Sequence, residues 1–82
     1  MDRIVRRREQ VALGALLKEA RQGAGLRQSD LAARLSVPQS YVSKYECGDR
    51  VVSLLEVRRI CQAMGLSVAM LLSGLEARLE DR

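Results

Sequence analysis

Four clusters of turn-forming residues, Gly23 to Gly25, Ser36 to Pro38, Gly48 to Asp49 and Gly65 to Ser67, cut the 82-residue chain into five segments of only a few helical turns each. Between the cuts, apolar side chains recur three and four residues apart, which is the period of a helix with one buried face. The first segment carries Leu13, Leu16, Leu17 and Ala20 and stops at Gln22 and Gly23. The second runs from about Gln28 to Leu35, with Leu31, Ala32 and Leu35 apolar and Asp30 in the first turn, where a negative charge suits the helix dipole. The third opens after Pro38, whose fixed φ suits a helix start, and runs from Gln39 to about Glu46 with Val42 and Tyr45 inward. Ser53 can cap a fourth helix bearing Leu54, Val57, Ile60, Cys61 and Met64, ended by Gly65. Ser67 can cap a fifth, where Val68, Leu71, Leu72, Leu75 and Leu79 form a stripe longer than a small core needs, interrupted by Gly74.

Composition agrees with one all-α domain. The chain is 48% hydrophobic and 29% charged, with two tyrosines as its only aromatic residues, enough for a single compact core and without the signature of disorder. No apolar run approaches the roughly 18 to 20 residues that span a bilayer, so no membrane association is expected. The arginines at the start are not followed by an apolar leader segment, which makes the cytoplasm the default. The absence of histidine removes the commonest metal ligand and general base. No glycine-rich phosphate loop and no nucleophile with an orienting base is recognisable, so neither enzymatic activity nor a cofactor is expected. Cys47 and Cys61 are too few and too widely spaced for a zinc site and make a weak case for a disulfide scaffold. Cys61 reads as a core residue. Cys47 reads as inert, against a rival reading as a redox switch, because nothing in the sequence lowers its thiol pKa or supplies a resolving partner.

The net charge is +4, and the whole excess lies N-terminal to residue 51. A basic balance of this kind points to acidic partners. Arg3, Arg6, Arg7 and Arg8 have two readings, a phosphate-seeking arm or a solvated, partly frayed terminus.

The second and third segments are both two turns long and are joined by Ser36, Val37 and Pro38, the spacing of a helix-turn-helix. The third begins Gln39, Ser40 and Tyr41, followed by Ser43 and Lys44, so its outward positions carry hydrogen-bonding groups in place of an ordinary Glu/Lys surface. Gln bonds adenine at two points, Lys reaches guanine or phosphate, and Ser serves either.

From about Leu13 to Leu72 the chain resembles the Cro and phage-repressor type of helix-turn-helix regulators, the XRE family. The resemblance is carried by Leu16, Ala20 and Arg21, then Gly25-Leu26-x-Gln28-x-x-Leu31-Ala32, Leu35-x-Val37, Val42-Ser43-x-Tyr45-Glu46-x-Gly48-x-Arg50, Leu54, Ala63-x-Gly65 and Leu71-Leu72. It implies a five-helix lambda-repressor-like DNA-binding domain that dimerises on a two-fold operator in double-stranded DNA and regulates transcription, as a repressor, without catalysis. Carried over position by position, it assigns base reading to Gln39, Ser40 and Lys44, and contact with the DNA backbone to Arg27, Gln28, Tyr41, Ser43 and Arg50. Arg21 and Glu46 fall where many members place an ion pair, with two independent surface charges as the alternative. The same domain type also serves in antitoxins, so a protein-interaction module whose main partner is a toxin is the rival function.

Three positions depart from the family pattern. Arg27 stands where a capping Ser, Thr or Asn is usual, which predicts a missing cap and an added phosphate contact. Ser36 replaces a common glycine and must adopt left-handed φ or another turn, and Val52 replaces a proline. The expected layout is a core over residues 11–73, a basic extension over 1–9 and a helical extension over 74–82. Leu75 and Leu79 are the expected dimer contact, with the alternative that the last helix folds back and Leu75 covers the first helix near Leu13.

Overall fold

A capping aspartate moves the start of the first helix well ahead of its apolar stripe. In the computed structural model, which describes residues 2–80, Asp2 Oδ1 accepts the Ile4 N–H at 2.7 Å, and α1 runs without a break over Arg3–Gly23. The Arg, Glu and Gln residues that follow Asp2 are good helix formers, so nothing interrupts propagation. The expected basic extension is therefore the first turns of α1, neither an extended arm nor a frayed end; Met1 of that extension lies outside the described residues. The remaining helices are α2 over Gln28–Leu35, α3 over Gln39–Glu46, α4 over Leu54–Met64 and α5 over Val68–Glu80. Of the expected C-terminal extension, residues 81 and 82 lie outside the described part.

The helix ends explain why the helices hold their boundaries. Ser36 takes the left-handed conformation, φ 57° and ψ 43°, and the Val37 N–H bonds back to the Ala32 carbonyl at 3.0 Å, closing α2 as a glycine would. The cap expected to be missing at Arg27 is missing from its side chain, which offers no acceptor. Asp30 Oδ2 reaches back to the Arg27 N–H at 2.8 Å, so one exposed donor is satisfied from inside the helix. Ser53 and Glu56 form a reciprocal capping box on α4, and Ser67 Oγ accepts the Met70 N–H at the start of α5.

The core is built from Leu17, Leu31, Val42, Tyr45, Ile60 and Cys61, all nearly or fully buried, with Val57 and Leu71 beside them. Burying one such aliphatic side chain stabilises the fold by about 1.5 to 3 kcal/mol relative to leaving it exposed. Burial also raises the Cys61 thiol pKa and pushes the Tyr45 phenol well up, so both stay neutral inside. α1 packs on α3 and α5, α2 on α3 and α4, and α4 on α5. The α1 to α3 approach depends on Gly14, where a Cβ would sit 2.3 Å from the Tyr45 carbonyl oxygen. That contact presses α1 against the C-terminal end of α3 and fixes how α3 is presented.

Candidate nucleic-acid interface

α3 buries Val42, Tyr45 and Glu46 and leaves Gln39, Ser40, Ser43 and Lys44 exposed. The geometry follows from the 3.6-residue period: positions 42, 45 and 46 share the inward face, so 39, 40, 43 and 44 look away from the core. Among the described residues, the side chains of Ser40, Ser43 and Lys44 take part in none of the protein's own hydrogen bonds. Their donors and acceptors are available to an external partner.

Gln39 is held. Its Nε2 donates to Gln28 Oε1 at 3.3 Å, Gln28 Nε2 donates to Glu46 Oε1 at 3.0 Å, and Glu46 accepts from Arg21 through both oxygens, at 2.7 Å from Nε and 3.1 Å from Nη2. Arg21 is further tied to the Leu26 carbonyl. A chain of polar groups thus runs from the interior outward to the first residue of α3. The Arg21 and Glu46 side chains are only 8% and 3% exposed, so they form a buried pair and are not independent surface charges, and the bond to Glu46 raises the Arg21 pKa. Gln28 is half-buried between Glu46 and Gln39, which makes it a support for Gln39 as well as a group near the surface.

The residues expected on the DNA backbone are also organised. Arg27 is exposed and pairs with Asp30 through Nε and Nη2, which lowers the Asp30 pKa to about 2. The Tyr41 hydroxyl donates to Glu56, and Arg50 lies over the Tyr41 ring at 4.4 Å from its centre. Glu56 was not anticipated from the sequence, although the Ser53-x-x-Glu56 spacing of a capping box was present. Its carboxyl, accepting from the Ser53 N–H and then from Tyr41, is held at about 2.

Arg7, near the start of α1, donates through Nη1 to the Gly48 carbonyl at 2.7 Å and through Nη2 to Asp49 Oδ1 at 3.2 Å. Arg3 and Arg6 line the same hollow as Gly48, Asp49 and Val51. The basic start of α1 is therefore docked beside the loop that carries Arg50. Cys47 is exposed, with its Sγ 3.3 Å from both the Lys44 carbonyl and Asp49 Oδ2; Cys61 is buried.

Leu75 and Leu79, the expected dimer contact, each keep part of their surface open. Both are half-buried, Leu79 beside Val5 and Arg8 of α1 and Leu75 in a hollow shared with Leu13, Leu54, Val57 and Leu72. α5 packs along α1, with Gly74 facing Leu16 where a Cβ would make an ordinary contact at 3.5 Å. At the rim of the Leu75 hollow Leu54 is 73% and Leu72 53% exposed, and Ile4, Val51, Leu55 and Met70 are exposed apolar side chains as well. No single helix among the described residues is long and apolar enough to cross a membrane, and no group of His, Cys, Asp or Glu among them has metal-binding geometry.

A model of the helix-turn-helix domain family matches residues 12–73. The chain is 43% identical to an XRE-family like protein from Pseudomonas syringae pv. tomato str. DC3000, with 92% of each chain covered and a TM-score of 0.81. It is 33% identical to the clp gene regulator ClgR from C. glutamicum, covering 84% of this chain and 88% of that one with a TM-score of 0.79. A curated relative, the endothelial differentiation-related factor 1 homolog of Danio rerio, is 27% identical over 67 residues, which are 82% of this chain and 46% of that protein; the chain thus spans about half the length of that relative. The chain belongs to the XRE-type helix-turn-helix family.

Proposed function

We propose that this chain is a sequence-specific, double-stranded DNA-binding regulator of transcription, acting as a repressor on a two-fold operator. The observation that carries the reading is the held Gln39: a glutamine at the exposed start of α3, bonded to Gln28 and through it to the buried Glu46 and Arg21. A side chain restrained before binding loses less rotamer freedom on meeting a base edge. Gln39, Ser40 and Lys44 read bases, while Gln28, Arg27, Ser43 and Arg50 meet the backbone, with Tyr41 beneath Arg50. ClgR, which is similar over most of this chain, is a gene regulator, and this supports the regulatory reading. The chain works in the cytoplasm, as one domain, without catalysis or a cofactor.

A single recognition helix contacts few base pairs, so a dimer reading half-sites about 10 to 10.5 base pairs apart is the natural assembly. Its contact centres on Leu54 and Leu72 and takes in the open edges of Leu75 and Leu79 along α5. The hollow they line is wholly apolar, and an isologous contact buries it against its own copy.

Selection of bound duplexes from a random pool tests the reading. A selected site with two-fold symmetry and steep salt dependence supports it. A chain that enriches no sequence and instead forms a stable complex with a co-purified protein supports the antitoxin reading.

A further inference from the structure

Arg50, the one cation of the loop after α3, is not left free. Its guanidinium carbon lies 4.4 Å from the centre of the Tyr41 ring, and its Nη2 is 3.4 Å from Glu56 Oε2. The same carboxylate oxygen accepts the Tyr41 hydroxyl. The other oxygen of Glu56 accepts the Ser53 N–H at 2.8 Å. One carboxylate therefore divides its work: Oε1 closes the start of α4, and Oε2 joins α3 to the loop. The helix cap alone does not require a charge, because glutamine serves as well as glutamate at this position of a capping box. The Arg50 side chain remains 45% exposed, so the guanidinium is stacked on one side and open on the other. A planar guanidinium oriented in this way presents its fork to a phosphate and has less freedom to lose on binding.

We infer that Glu56 is a positioning residue for DNA-backbone binding, holding the Tyr41 ring as a platform and the Arg50 guanidinium over it, ready for a phosphate. The inference rests on the DNA-binding reading above. It also accounts for Tyr41, whose hydroxyl donates to Glu56 and whose ring supports the cation.

Glu56→Gln is the informative variant, because its one amide oxygen keeps the cap on Ser53 while an NH2, which can neither accept from the Tyr41 hydroxyl nor attract Arg50, takes the place of Oε2. Affinity for a random-sequence duplex is measured against salt in the full chain, for Glu56→Gln, Arg50→Ala and the double variant. Arg50→Ala lowers the salt slope by about 0.9, the value of one neutralised phosphate. Glu56→Gln weakens binding by roughly three- to tenfold in the presence of Arg50 and leaves it unchanged when Arg50 is already alanine, since a residue acting through another shows full coupling to it. The same change in both backgrounds, or tighter binding in the first, overturns the inference while leaving DNA binding itself intact. A chain that binds no duplex in any background overturns the functional reading and this inference together. Proton NMR of the unbound protein gives a second readout: the Arg50 side-chain protons, shifted by the Tyr41 ring, return towards ordinary values in Glu56→Gln, and unmoved resonances contradict the role. Tyr41→Phe, which keeps the ring, serves if Glu56→Gln does not fold; it weakens binding only when Arg50 is present, and an equal weakening without Arg50 overturns the inference.

Discussion

Arg21 and Glu46 meet in a two-point ion pair buried between α1 and the end of α3. Glu46 uses Oε1 twice, for Arg21 and for Gln28, so the pair that joins two helices also fixes the polar chain leading to Gln39. Removing one partner strands a charge in a site from which water is excluded, whereas removing both strands none. Arg21→Met or Glu46→Gln is expected to cost about 3 to 5 kcal/mol at the upper end, and the double variant less than the two summed. A double-mutant cycle in urea that shows no coupling contradicts this; so does a cost within the roughly 0 to 1 kcal/mol typical of exposed pairs.

The pair also shows where sequence reasoning reaches. Five helices, their breaks and the outward residues of α3 are legible because each is written in local spacing: apolar periods, a proline, glycines and capping serines. Arg21 and Glu46 are matched by position, but their burial is not legible, since it depends on Gly14 letting α1 close on the Tyr45 carbonyl. The start of α1 misleads for a related reason. Four arginines suggest a solvated arm until Asp2 is seen to cap them and Arg7 to meet Gly48 across the fold. Glu56 escapes notice because its capping role is local while its contacts with Tyr41 and Arg50 join three separate elements.

Acid stability follows from Glu56 and Asp30, both with pKa values held at about 2. A depressed carboxyl pKa contributes stability that is present above its unfolded value, near about 4, and fades as pH falls through the folded one. Thermal melting should decline through that window. In Glu56→Gln the decline should be shallower, the variant starting lower at neutral pH and converging with the native chain in acid. Parallel melting curves for the two proteins across the window would contradict the assignment.

The start of α1 should add to the electrostatic footprint on DNA. Truncation of residues 1 to 8 removes Arg3, Arg6 and the Arg7 bond to the Gly48 loop, and the salt slope of duplex binding should fall by about 0.9 for each phosphate left unneutralised. Preference among sequences should not change. An identical slope would mean that these arginines do not meet phosphate.

Leu54→Glu with Leu72→Glu tests the dimer. Both side chains are mostly exposed in one copy, so the folded monomer should tolerate the change and melt as a single transition, while sedimentation shows dissociation of the dimer and operator affinity falls. An unchanged dimer, or a chain that no longer folds, would place the interface elsewhere.

Base reading by α3 through Gln39 is measured by comparing the affinities of the native chain and of Gln39→Ala for a selected duplex and for an unselected one at the same salt. The substitution should cost about 1 to 3 kcal/mol on the selected duplex, at one base position, and leave the unselected duplex nearly unchanged. Equal weakening on both duplexes, or no weakening on the selected one, would contradict base reading by this helix.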